Sequence, residues 1–168
     1  GSTADVAQNG NFYPTLTKLD TDGNIIWQTA MGVLDGAEGG GFSVAVDEAG
    51  DAYSAGGYTA YDTNLWDIRL FKVSGATGEV IWQRKLSTPG DDFTFYNFGT
   101  RALSVSAGQM ALVGNQQYNG PRVAFVASLP SNGEGTGKYG IWSYEATRYD
   151  ADYLTTASST ANVAVGNV

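Results

Sequence analysis

Three stretches of the chain share one pattern of apolar and polar positions. They are Leu16 to Gln28 (LTKLDTDGNIIWQ), Leu70 to Gln83 (LFKVSGATGEVIWQ) and Val123 to Ser143 (VAFVASLPSNGEGTGKYGIWS). Each runs apolar into a turn and comes back to an Ile-Trp pair. The tryptophans, Trp27, Trp82 and Trp142, are 55 and 60 residues apart. A recurring period of this size marks a repeat architecture, in which one unit cannot bury its own apolar face and needs neighbours.

The pattern inside a period is that of short strands. Leu16 to Leu19 alternates apolar with polar, the sign of a half-buried strand. Asp20-Thr21-Asp22-Gly23-Asn24 reads as a turn, because Asp and Asn side chains bond nearby backbone and Gly23 supplies positive φ. Ile25 to Gln28 returns. Gly36 to Gly41 then reads as a glycine-rich connection. A second hairpin follows, with Ser43 to Val46, a turn at Asp47 to Gly50, and Ala52 to Ala55, closed by Gly56-Gly57. The second period repeats this with Ile68 to Val73, a turn at Ser74 to Glu79 and Val80 to Lys85. Ala102 to Val105 and Met110 to Val113 complete it. The third starts at Arg122, has its hairpin widened by Glu134 to Gly140, and is not completed. Four short strands per period, with turn signals between them, predict an all-β fold of antiparallel units. No segment has the period of an amphipathic helix. The expected organisation is a flexible N-terminal segment over 1–13, a β-repeat domain over 14–149, and a linker or the start of a further strand or domain over 150–168. Gly1-Ser2 looks like a cloning remnant, and the chain reads as cut from something longer.

Composition narrows the function classes. The net charge is -8, which argues against nucleic-acid binding and against attachment to an anionic membrane surface. No stretch approaches the roughly 20 apolar residues that a membrane-spanning helix requires. The chain has no cysteine and no histidine. Disulfides, Cys/His zinc sites and histidine-based dyads or triads are therefore excluded.

Few residues carry candidate chemistry. Asp20, Asp22 and Asn24 place oxygens at alternate positions, as calcium loops do, but the twelve-residue spacing and the terminal glutamate are missing. A hairpin turn explains the same residues, and Asp47 to Asp51 is a second such turn. Glu38, Asp91 and Asp92 precede the second hairpin of successive periods and form the candidate carboxylate set for glycoside hydrolysis. Lys18 and Lys72 hold equivalent strand positions, which points to a shared structural role. Trp66 lies outside the period, in an aromatic stretch with Tyr58 and Tyr61, and is the better candidate for stacking on a ligand. Tyr96, Asp91 and Asp92 sit in a second aromatic and polar stretch over 89–100.

Four-stranded units with a turn glycine followed by a tryptophan resemble the blades of β-propellers, in particular the PQQ-like repeat family and the propeller repeats of bacterial surface proteins. Ala76-Thr77-Gly78-Glu79-Val80-Ile81-Trp82 carries the resemblance best. Asp22-Gly23-Asn24-Ile25-Ile26-Trp27 has Asp-Gly for Thr-Gly, and the third copy keeps Gly140-Ile141-Trp142. The resemblance spans about residues 14–143. It implies that Trp27, Trp82 and Trp142 dock between adjacent sheets. It carries over no cofactor, because the family's quinone is held by residues spread over many blades.

Propellers close with four to eight blades, and this chain supplies about two and a half. The expectation is an incomplete propeller that meets further sheet, from other copies of itself or from the rest of a parent propeller. A β-sandwich is the alternative packing. The function expected is a non-catalytic module of an extracellular, cell-surface or virion (tail-fibre-like) protein, presenting loops to a glycan or protein receptor. The alternative is a fragment of a carbohydrate-active or quinoprotein-like propeller enzyme.

Overall fold

The computed structural model describes residues 2–4, 12–30, 36–60, 66–94, 102–117, 121–139 and 142–146. Among these residues there are thirteen strands and no helix. In chain order they are β1 (Ser2–Ala4), β2 (Phe12–Leu19), β3 (Ile25–Ala30), β4 (Gly36–Val46), β5 (Ala52–Ala60), β6 (Trp66–Val73) and β7 (Val80–Ser87). Then come β8 (Asp91–Thr94), β9 (Leu103–Ser106), β10 (Gln109–Gln117), β11 (Val123–Pro130), β12 (Gly137–Tyr139) and β13 (Trp142–Ala146). All pairings are antiparallel. They form three sheets: β1-β2-β3, the six-stranded β12-β13-β7-β6-β5-β4, and β11-β10-β8 with β9 also on β10.

The central sheet carries the core on both faces. Ile68 and Leu70 of β6 join Tyr53, Trp82 and Leu86 in a cluster with Leu103, Met110 and Leu112 of the third sheet. Phe71 and Val73 point the other way and pack with Trp27 and Leu16 of the first sheet. Side chains alternate across a strand, so a strand with neighbours on both faces is apolar almost throughout. Three layers result, with the β4–β7 meander in the middle.

The turns form where Asp, Asn and Gly predict them. Asp20 Oδ1 accepts from the N–H of Asp22 (2.9 Å) and of Asn24 (2.8 Å), and Gly23 N–H closes on Asp20 O. Asp47 Oδ1 does the same for Ala49 and Asp51. Asp20 Oδ1 and Asp47 Oδ1 are thus each taken up by N–H groups of their own turn.

Four segments differ from expectation. Gly36 to Gly41 is not a connection but the first half of β4, with Gly40 opposite Gly57 and Gly41 opposite Gly56. Ladder hydrogen bonds need only main-chain groups, so a glycine run pairs despite its weak propensity. Gly56 and Gly57 likewise continue β5 instead of closing a hairpin. The N-terminal segment contributes β1, paired through Ser2↔Pro14. The third hairpin does not close on itself. β13 pairs with β12 and with β7, through Tyr144↔Leu86, instead of returning to β11. Tyr144 is thereby fully buried beside Leu86, and the longer link between Gly133 and Trp142 provides the reach. Among the described residues, β11 pairs with β10, and its other edge takes no strand.

Gly50 and Gly78 form a matched pair for testing the packing of these layers. Both have positive φ, +88° and +76°. Space beyond Gly50 is open, whereas a Cβ on Gly78 would stand 2.8 Å from Trp27 Cδ2. Gly50→Ala is expected to cost about 1–2 kcal/mol, the strain of a left-handed backbone. Gly78→Ala should cost about 1–3 kcal/mol more, from overpacking. Denaturant unfolding of the two variants measures the difference, and equal costs would show that the indole does not rest on Gly78.

Candidate functional site

The feature built most completely is the seat of an indole on the turn of the following unit. Gly23, Gly78 and Gly133 are spaced 55 residues apart and have φ of +85°, +76° and +77°. Trp27 lies beneath Gly78, and Trp82 beneath Gly133, where an added Cβ would come within 3.0 Å of Trp82 Cγ and Cδ2. Both indoles are buried. Two residues further on, the same strand face supplies a donor to the glycine carbonyl. Thr29 Oγ1 donates to Gly78 O (2.6 Å), and Arg84 Nε donates to Gly133 O (2.6 Å). In the first junction Trp27 Nε1 also donates to Gly75 O (3.1 Å), as does Lys18 Nζ (2.5 Å). In the second, Tyr53 meets Trp82 edge-on and the Arg84 guanidinium lies over its ring. Left-handed glycine is required twice over. It allows the turn, and its missing Cβ admits the ring.

A charged cluster fixes the turn that receives Trp27. Lys72 Nζ reaches Asp51 Oδ2 (3.1 Å) and Asp47 Oδ2 (3.3 Å). Tyr53 Oη donates to Asp47 Oδ2 (2.9 Å). Asp51 Oδ1 accepts from Gly75 N–H (3.1 Å), and Gly75 O is the acceptor of Trp27. The ion pair therefore reaches the indole through one residue, Gly75. Burial pushes the Asp47 carboxyl up, but hydrogen bonds from Tyr53, the Asp51 N–H and Lys72 outweigh it and hold the group below its usual value. Burial by itself lowers the Lys72 ammonium. Its bonds to Tyr53, Asp51 and Asp47 outweigh that and hold it above the usual lysine range. Lys18 and Lys72 sit directly opposite Trp27 and Trp82, yet they take different partners, one across a junction and one within its own sheet.

Trp142 is half-buried and rests on Phe125, with ring centroids 4.6 Å apart. It lines a groove of about 350 Å³ with Leu86, Phe125, Leu129, Pro130 and Tyr139. No described glycine turn covers it.

The residues expected to bind are placed by backbone only. Trp66 opens β6 opposite Thr59, and Tyr58 lies opposite Asp67. Asp91 and Asp92 are in β8, opposite Gln117 and Gln116. The register puts the end of β5, the start of β6 and the end of β7 at one end of the central sheet, and β8 packs against β5 and β6. Tyr58, Trp66, Asp91 and Asp92 thus share a neighbourhood. Their side chains, and Tyr61 and Tyr96 entirely, lie outside the described residues. Glu38 is in β4, opposite Thr59. The seat glycines and the Asp47–Lys72–Asp51 cluster were missed as functional groups by reading the chain. The 55-residue spacing of Gly23, Gly78 and Gly133 is the signal that finds the former.

Compared with protein-family models, curated proteins and solved structures, the chain matches none.

The charged cluster makes stability depend on pH. Asp47 is depressed, so its contribution is full well above 3.8 and is lost as the pH falls through its lower folded value. Lys72 is raised, so its contribution is full below 10.5 and is lost only at higher pH still. Asp47→Asn should melt below wild type at neutral pH, and the gap should close as the pH drops below 3.8. Thermal melts across the acid range test this. A gap that stays constant would show that the Asp47 charge does not support the turn.

Proposed function

We propose that this chain is a non-catalytic β-repeat module of propeller-like type, built to stack sheet on sheet and to present loops for recognition. The observation that carries the reading is the indole-on-glycine seat, made twice at one spacing with a side-chain donor to the glycine carbonyl two residues on, Thr29 in one and Arg84 in the other. A junction that repeats in this way is a device for adding units. Its partners in this reading are other copies of itself or the rest of a parent propeller. A module of this kind contributes a rigid frame, and recognition falls to the segments at the ends of its strands. The segments over 56–66 and 89–100 are rich in Tyr, Asn and Gly, a composition suited to adaptable polar and aromatic contact. Trp66, Tyr58, Tyr61 and Tyr96 are the stacking groups of this reading, and Asp91 and Asp92 its hydrogen-bonding groups. The receptor is a glycan or a protein surface, and the setting is extracellular, on a cell or a virion.

The test is retention on a glycan array and on intact cells. Trp66→Ala is expected to abolish retention, with at least a tenfold loss of binding, and to leave the melting temperature within about 2 °C. Hydrolysis of a glycoside by the wild type, lost in the Asp91→Asn/Asp92→Asn double variant, would replace this reading with an enzyme.

A further inference from the structure

The two indole seats inside the chain leave one half-junction at each end of the series. Gly78 and Gly133 are buried under Trp27 and Trp82. Gly23 has the same left-handed backbone and the same spacing, but it is exposed, with open space where a Cβ would stand. The strand leading to it is also uncovered. Lys18 and Lys72 both lie opposite their tryptophans, so Leu19 is the counterpart of Val73. Val73 is 0% exposed beneath the first sheet, whereas Leu19 is 50% exposed. An apolar residue and a left-handed glycine are therefore presented together, and among the described residues no layer covers them as their counterparts are covered.

The opposite half is at Trp142. One side of its ring rests on Phe125, and the ring forms part of the wall of the open groove. Two residues on, where Thr29 and Arg84 donate to their glycine carbonyls, stands Tyr144, which is fully buried in the larger core cluster, so this half presents the ring alone.

Resting on the module reading above, we propose that the chain docks head to tail with a second copy of itself, Trp142 of one copy seating on the Gly23 turn of the next. The contact is heterologous, so it propagates into a ring or an open file of copies. It places between chains an indole on a left-handed glycine, as the two junctions within the chain do, with the ring carried here by β13 on the edge of β7. The occupant of the groove is then the Asp20–Asn24 turn, and the Leu19 side chain of that copy is covered as Val73 is covered.

Sedimentation velocity of the whole chain over a concentration series tests the docking. Wild type is expected to sediment as multiples of one chain. Gly23→Asn keeps a residue that accepts a left-handed backbone and adds a Cβ where the ring must lie. It should weaken self-association at least tenfold with circular dichroism and melting temperature unchanged. Trp142→Ala should do the same. Each variant retains one intact half, so mixing the two should yield a species of two copies and nothing larger. Should Trp142→Ala fail to fold, Gly23→Asn decides by itself, because it touches no buried group. A single-chain mass for wild type at every concentration would overturn the docking. Self-association that survives Gly23→Asn would overturn it too, while leaving the module reading in place. That reading stands or falls on retention by Trp66, which is measured separately.

Discussion

Everything in this fold is arranged around the contact of a flat ring with a backbone that has no side chain. A left-handed glycine turns the chain back and leaves its Cα face bare, and the indole of the preceding unit fills that face. Burying a tryptophan removes on the order of 200 Å² from water, which makes this one contact a large share of what holds two layers together. Its direction is set by hydrogen bonds to the carbonyls of the same turn, from Trp27 and Thr29 in one case and from Arg84 in the other. Hydrophobic burial supplies the magnitude, and these polar contacts supply the register.

The seat works only if the turn beneath it is held still. In the first junction that task falls to Asp47, Asp51, Lys72 and Tyr53, which tie the turn of one hairpin to the turn of its neighbour through Gly75. Exposed ion pairs contribute little, but this one is partly shielded and shares Asp47 Oδ2 with the Tyr53 hydroxyl. Its value lies in positioning a carbonyl. The second junction is held by Arg84, which both stacks on Trp82 and bonds the carbonyl of Gly133. Trp82 Nε1 finds no acceptor among the described residues, unlike Trp27 Nε1. The two seats are thus alike in shape and different in polar support.

The third unit shows how far the pattern can bend. Its turn glycine receives Trp82 in the repeat position, so that much of the unit is conventional. Five further residues between Gly133 and Trp142, relative to the earlier copies, free the return strand to choose another edge. It takes β7, where Tyr144 completes the larger core cluster. Among the described residues the cost is an edge of β11 that takes no strand, with Val126 77% exposed. Burial of a large aromatic outweighs the loss of the local hairpin, and the groove between β11 and β13 is the trace of that choice.

By itself the sequence determined the local elements: strands with period-two alternation, turns at Asp20–Asn24, Asp47–Gly50 and Ser74–Glu79, an all-β chain, and a repeat marked by Trp27 and Trp82. These are legible because side-chain alternation and turn chemistry act over a few neighbouring residues. Only the tertiary structure decided that Gly36 to Gly41 is strand, that Asp91 to Thr94 pairs with β10, that β13 leaves β11 for β7, and that Asp51 reaches Trp27 through Gly75. The reason is that ladder hydrogen bonds are made by main-chain groups common to every residue. Which strand a given edge accepts is therefore settled by what can be buried against it, a comparison between segments far apart in the chain.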